Sequence, residues 1–217
     1  ALDDGNPYKE SEYRDKLMAL VEPFDGIPNE LFRMEERYRG RQWLTDGRAL
    51  ITEYDRVRRW NRTHLINSVA APKLIWDVSA QDRYNDPGRP VSSTLANGHR
   101  TIIQNGEWIY LAGNGASSIG DYPFLDRLNL VTLQSERLFR AESGTYEAIV
   151  GPLGNSGEKW ITRHESKTEP PNYRIRNVSS NRETTELTSF VDPTPRLRQI
   201  SKRLIKSCYE LDKVCEH

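Results

Sequence analysis

Apolar and polar residues alternate with a period of two in short runs along this chain, and the runs come in pairs joined by polar turns. Four stretches share the layout: KLMALVEPFDGIPNELFR (Lys16 to Arg33), RTHLINSVAAPKLIWD (Arg62 to Asp77), FLDRLNLVTLQSERLFR (Phe124 to Arg140) and NYRIRNVSSNRETTELT (Asn172 to Thr188). Three of them follow another short hairpin pattern: QWLTDGRALITEY, STLANGHRTIIQN and VGPLGNSGEKWITR. Two hairpins make four strands, and four strands recurring along a chain predict an array of propeller blades. Turn chemistry agrees with the periodicity. Asp46-Gly47, Asn97-Gly98, Asn105-Gly106 and Ser156-Gly157 stand between strand runs, and such pairs supply the positive φ that a tight hairpin needs. In the third unit, Arg100, Ile102 and Gln104 are predicted on one face of a strand and Thr101, Ile103 and Asn105 on the other.

The matching second strands end near Phe32, Trp76, Phe139 and Leu187, at intervals of 44, 63 and 48 residues. A blade takes roughly 40–50 residues, so the long interval must carry insertions. They are placed at SAQDRYNDPGRPV (Ser79 to Val91) and GNGASSIGDYP (Gly113 to Pro123). The expected fold is all-β: a partial β-propeller of about three and a half four-stranded antiparallel blades with a short C-terminal tail. The expected units are an outer hairpin of an incomplete blade over 1–36, blades over 37–79, 80–145 (with both insertions) and 146–195, and a tail over 196–217. Closed propellers need about four to eight blades, so an open arc is predicted. In the tail, Ile200, Leu204, Cys208, Leu211 and Cys215 recur every three or four residues, the period of an amphipathic helix.

Composition narrows the function classes. Lys plus Arg number 31 and Asp plus Glu 31, so the formal net charge is zero, which argues against a nucleic-acid partner. A mean hydropathy of −0.76 suits narrow blades with solvated outer strands better than one thick core. No run approaches the ~20 apolar residues of a membrane span, so no membrane partner is expected. The segment ALDDGNPYKESEYRDK reads neither as a signal peptide nor as a transit peptide. Cys208 and Cys215 do not make a disulfide framework. Together these predict a cytoplasmic chain.

The search for chemistry excludes more than it finds. A serine elbow requires G-x-S-x-G, and GNGASSIG around Ser117 and Ser118 lacks the second flanking glycine. It also lacks the third glycine of a dinucleotide fingerprint. His64, His99, His164 and His217 show no zinc-site spacing. DRYNDPG (Asp82 to Gly88) resembles a calcium loop but lacks its closing Glu, and reads as an ordered Asx/Pro-Gly turn. No catalytic, cofactor-binding or metal-ligating residue is therefore expected, and no cofactor. Trp43, Trp60, Trp76, Trp108 and Trp160 recur beside the turns, and packing between blades is favoured over a ligand cage. If EYDRVRRWNR (Glu53 to Arg62) were extended, Arg58, Trp60 and Arg62 would share a face able to stack on single-stranded nucleic acid, but a solvated blade edge is favoured.

Beyond these patterns, the chain resembles the propeller part of the prolyl-oligopeptidase-type serine peptidases, in the branch that includes the glutamyl endopeptidases. The resemblance is carried by EYDRVRRWNRTHLI, SAQDRYNDPGRPV, WIYLAGNGASSIGDYPFLDRLNL, ERLFR, RHESKTEPPNYRIRNV and LTSFVDPTPRLRQISKRLI, and covers Asp3 to about Ile205. It implies a β-propeller set over a C-terminal α/β-hydrolase domain that carries Ser, Asp and His. The propeller would gate or orient peptide substrates and exclude folded proteins. No triad residue of the family maps onto this sequence, because the matched region stops before the hydrolase. The family counterpart of the tail is extended, against the helical period.

On this basis the expected partners are peptide substrates and the hydrolase domain, with self-association through exposed blade faces. Contacts are expected on the two insertions and on His164 to Asn172, since loops on rigid scaffolds carry function. Arg83, Arg89 and Arg163 are the candidates for meeting an acidic side chain or a peptide carboxylate. Two other readings stay open: a stand-alone propeller-like interaction module, and a propeller glycosidase, which needs two facing carboxylates.

Overall fold

The computed structural model describes residues 1–3, 5–6, 8–67, 70–154, 156–179 and 183–200. Among them, every regular element except one 3-10 turn is a strand. β1 (Asp15–Ala19) and β2 (Asn29–Met34) form an isolated antiparallel hairpin. β3 (Arg37–Leu44), β4 (Ala49–Asp55), β5 (Trp60–Ile66) and β6 (Lys73–Ser79) form an up-and-down antiparallel sheet in chain order. Four short strands follow: β7 (Arg89–Pro90), β8 (Ser92–Thr94), β9 (Arg100–Ile102) and β10 (Gln104–Asn105). The third sheet is built on β11 (Trp108–Gly113). A small hairpin, β12 (Ala116–Ser117) and β13 (Gly120–Asp121), separates it from β14 (Phe124–Asn129) and β15 (Ser135–Arg140). The last sheet runs β16 (Thr145–Pro152), β17 (Lys159–Ser166), β18 (Asn172–Asn177) and β19 (Thr184–Glu186) in order. This is an all-β partial propeller, and each of the four repeated stretches forms one hairpin: β1–β2, β5–β6, β14–β15 and β18–β19.

One expected hairpin is divided. STLANGHRTIIQN was predicted to open the third blade, but its β8–β9 pair leaves that sheet. β9 lies parallel to β3, with Trp43 opposite Thr101 and Leu44 opposite Ile102. The inner edge of β11 is shared instead by β10, opposite Trp108 and Ile109, and by β7, opposite Leu111 and Ala112. The alternation predicted for 100–105 fails for the same reason. Thr101, Ile102 and Ile103 are all buried, because the segment runs between sheets and is covered on both sides. Ile102 enters the cluster of the second and third sheets, and Ile103 that of the third and fourth.

Three apolar clusters hold the arc together, one at each junction. Met34, Ala49, Ile51 and Ile66, with Leu17 and Phe32, join the first hairpin to the second sheet. Leu44, Leu50, Leu65, Ile109, Leu111 and Leu128 join the second sheet to the third. Tyr110, Leu125 and Trp160, with Phe139, Ile149 and Val178, join the third to the fourth. Neighbouring residues of the middle strands serve opposite junctions: Ala49 and Ile51 one, Leu50 the other; Ile109 and Leu111 one, Tyr110 the other. A strand covered on both faces reads as a continuous apolar run, which is what ALI and IYL are. On β17, by contrast, Trp160, Thr162 and His164 are buried while Lys159, Ile161 and Arg163 are not, so this sheet is fully covered on one face only. Each fully buried aliphatic side chain contributes about 1.5–3 kcal/mol.

The tryptophans divide between two environments. Trp76 and Trp160 pack at junctions. Trp60 and Trp108 lie under Arg58 and Arg127, and Trp43 is 44 % exposed. The 3-10 turn at Pro195–Gln199 ends at Ile200 in an extended conformation. The rest of the predicted tail helix, with Cys208, Cys215 and His217, lies outside the described residues.

Candidate functional site: the rim that carries the insertions

Up-and-down connectivity places the loops after β4, β6, β11, β15 and β17 on one rim of the arc. Both insertions belong to this rim, and local hydrogen bonding shapes each. Asp82 accepts the backbone N–H groups of Tyr84 and Asn85 at 3.0 and 3.1 Å and the Asn85 amide at 2.7 Å. The Asn85 amide, foremost, holds the Asp82 carboxyl below its ordinary value. Asp86 accepts the Gly88 N–H at 2.9 Å. Gly88 has φ +85° and lies where a Cβ would stand 3.0 Å from the Ala112 carbonyl carbon. Only glycine combines that conformation with so close an approach, and it lets Arg89 and Pro90 pair with β11. In the second insertion, Ser117 Oγ donates to the Gly120 carbonyl at 2.7 Å and closes the β12–β13 hairpin. That hydroxyl is thus held by backbone.

The two insertions meet. Arg83 Nη2 stands 3.6 Å from Asp121 Oδ2, with the Arg83 side chain 72 % exposed. Beneath this bridge lies a cavity of about 770 Å³ lined by Tyr84, Ser117, Asp121 and Tyr146 among others. A second cleft, about 460 Å³, lies between the 80–90 segment and the second sheet. Thr52, Asn61 and Thr63 form its floor, with Thr52 Oγ1 and Thr63 Oγ1 2.9 Å apart, and Arg39, Arg83 and Arg89 line it. Here the apolar junction of the second and third sheets gives way to polar groups.

The three arginines singled out in the sequence separate. Arg83 and Arg89 line one cleft. Arg163 lies on the far face of the fourth sheet, opposite Ala148 and Tyr173 in register, with Nη2 3.2 Å from Glu165. The His164–Asn172 loop closes on itself: Glu169 stands 3.2 Å from His164 Nδ1 and 3.1 Å from Arg174. Sequence reasoning missed Tyr84, Asp121 and Tyr146. The long 63-residue interval was the available signal for the first two; nothing marked Tyr146. EYDRVRRWNR is not continuously extended. Asp55 accepts the Val57 and Arg58 N–H groups at 2.9 and 3.0 Å and turns the chain, while Arg62 pairs with Glu35 at 2.6 Å.

The four buried carboxylates among the described residues are structural. Asp3 pairs with Arg14 at 2.9 Å and Arg37 at 2.6 Å. Glu53 accepts the Glu36 N–H at 2.8 Å and lies 3.3 Å from Arg62. Asp126 pairs with Arg137. Glu147, 3 % exposed, takes both Arg176 nitrogens at 2.8 Å and the Thr162 hydroxyl at 2.7 Å. Burial raises the Glu147 pKa, but Arg176 and Thr162 outweigh it and hold the carboxyl below its ordinary value. Among the described residues no helix is long and apolar enough to cross a membrane, and no three His, Cys, Asp or Glu side chains cluster as for a metal.

No family model matches the chain. Among solved structures, TolB from Acinetobacter baumannii aligns with 80 % of this chain and 37 % of its own, at a TM-score of 0.42 and 14 % identity. The chain is 30 % identical over 224 residues to a protein of Arabidopsis thaliana named "Probable glutamyl endopeptidase, chloroplastic", covering 94 % of this chain and 23 % of that one. A protein of the same name from Oryza sativa subsp. japonica is 30 % identical over 223 residues, and the chain spans 24 % of it. Over nearly its whole length, then, this chain is a sequence relative of the glutamyl endopeptidases, matched to about a quarter of each.

Proposed function

We propose that this chain is the non-catalytic propeller part of a prolyl-oligopeptidase-type serine peptidase. It gates or orients peptides for an α/β-hydrolase domain outside this sequence. One observation carries the reading: 94 % of the chain aligns with about a quarter of each of two proteins named as probable glutamyl endopeptidases. The rim supports it, since it offers two adjoining openings large enough for peptide side chains, with Arg83 and Arg89 at their edges. The reading keeps the chain cytoplasmic, on its sparse cysteine content.

Two measurements test it. A fluorophosphonate serine-hydrolase probe should leave the chain unlabelled; strong labelling lost on a single Ser→Ala change would overturn the reading. Fluorescence anisotropy should show short unstructured peptides binding and folded proteins not binding.

A second reading, a stand-alone interaction module, has one observation in its favour. The far face of the fourth sheet carries Tyr173 and Leu187, 36 % and 47 % exposed, beside Ile161 and Ile175. Capture of a folded protein partner by that face, with no peptide binding at the rim, would favour it.

A further inference from the structure

We infer, on the peptide-handling reading, that the cavity between the two insertions is a side-chain site for an uncharged aromatic residue of a peptide. Three parts of the chain, distant in sequence, wall it: the 81–84 segment of the first insertion, the β12–β13 hairpin of the second, and Tyr146 at the start of β16. Its volume of about 770 Å³ lies within the roughly 300–1,000 Å³ usual for ligand sites.

The chemistry of the wall selects the ligand. Three charged side chains line the cavity, and each is already engaged. The Asp82 carboxylate is taken up by Tyr84 and Asn85 in its own turn, and Arg83 faces Asp121 at 3.6 Å. The Ser117 hydroxyl donates to the Gly120 carbonyl at 2.7 Å. Two acids against one base leave the wall negative on balance, which disfavours a carboxylate. What stays open to a ligand is neutral: Tyr84, Tyr146, Ala116 and the Gln81 amide. Neither phenol hydroxyl has a hydrogen-bond partner among the described residues. Aromatic rings meet one another offset or edge to face, and a phenol hydroxyl adds a polar handle, here for the main chain of the peptide. A cationic side chain is the nearest competitor, since ring faces attract cations, but Arg83 at the mouth opposes it.

The walls are set before a ligand arrives. Tyr122 N–H donates to the Gly115 carbonyl at 2.9 Å and closes the base of the β12–β13 hairpin, while Ser117 closes its tip. Asp82 orders the facing turn. On these fixed loops Tyr84 is 61 % exposed and Ile119, at the hairpin tip, 73 %. Large apolar side chains held out on ordered loops suit binding, and fixed walls lower its entropic cost.

The test is calorimetric titration of the whole chain with blocked peptides Ala-Ala-X-Ala-Ala, where X is phenylalanine, alanine, glutamate or lysine, and with N-acetyl-phenylalanine amide. The phenylalanine peptide should bind about tenfold or more tighter than the alanine peptide, the scale of burying one ring. Its affinity should hardly change with salt. Tyr84→Ala and Tyr146→Ala should each weaken it about two- to tenfold, and the double variant should abolish the preference with the circular dichroism spectrum unchanged. Tyr84→Phe, which keeps the ring, should retain it. Tyr38→Ala, on β3 and outside the cavity, should leave it intact.

Equal binding of the phenylalanine and alanine peptides, or a preference unmoved by the double variant, would sink the site and leave the peptide-handling reading standing. Tightest binding of the glutamate or lysine peptide would replace the aromatic ring with a charge. Binding of N-acetyl-phenylalanine amide as tight as the peptide would reassign the cavity to a free aromatic molecule. Binding of none sinks the site, while the anisotropy measurement with mixed peptides decides the broader reading separately.

Discussion

Glu147 shows how a buried charge is held at a junction of this fold. Its carboxylate is enclosed by the Arg176 fork and the Thr162 hydroxyl, while Phe139 lies 4.7 Å beneath the guanidinium. Removing Arg176 leaves a buried uncompensated anion, so Arg176→Met should cost about 3–5 kcal/mol in urea denaturation at neutral pH. Glu147→Gln in that background should recover most of the loss; a single-variant loss below about 1 kcal/mol would show that the pair is relaxed by water. The pKa of Glu147 is depressed in the fold, so its contribution is complete above the ordinary value of 4.5 and fades as pH falls below it. Glu147→Gln should flatten that part of the acid-stability curve. Gly157 makes a steric prediction. It has φ +73°, a Cβ there would stand 1.8 Å from the Tyr110 hydroxyl, and its carbonyl accepts Trp160 Nε1–H at 2.9 Å. Gly157→Ala should lower stability by at least about 1 kcal/mol. Tyr110→Phe should relieve part of the clash, which thermal melts of the single and double variants can resolve.

Between elements, the turns carry the ties. The β3–β4 turn is fixed to the next sheet through Asp46, which accepts Gln104 Nε2 at 2.7 Å, and through Arg48, which reaches Glu107 at 2.8 Å. Burial raises the Asp46 pKa, but Arg48 and Gln104 prevail and bring it from 3.8 to about 2. Its stabilising effect is therefore full above pH 3.8 and is lost as pH falls toward about 2. Asp46→Asn should flatten the stability curve across that window; a curve parallel to the parent's would show that the turn is not docked. The four repeated hairpins were legible in sequence because alternation and Gly turns are local properties. The diversion of β8–β9 was not, because Thr94 to Gly98 reads as a hairpin whichever sheet it joins.

As a whole, the molecule is an arc whose last sheet shows an open face. Ile161, Tyr173, Ile175 and Leu187 share that face by register, and Val21, Phe24 and Ile27 are exposed, 66–90 % of their surface, on the loop of the first hairpin. Apolar surface of this kind promotes association. We propose that the chain self-associates through it. Light scattering should show mass rising with concentration, and Tyr173→Lys with Leu187→Lys should restore the monomer; a parent chain monomeric at every concentration would refute the proposal.

The sequence by itself determined the all-β class, the repeated hairpins and the place of the insertions, because a period of two, turn residues and spacing are properties of neighbours along the chain. Tertiary structure alone decided two things: that Arg163 stands apart from Arg83 and Arg89, and that β9 crosses to β3. Each depends on which sheet a strand joins. That choice is set by burial between sheets, among residues far apart in sequence, rather than by local pattern.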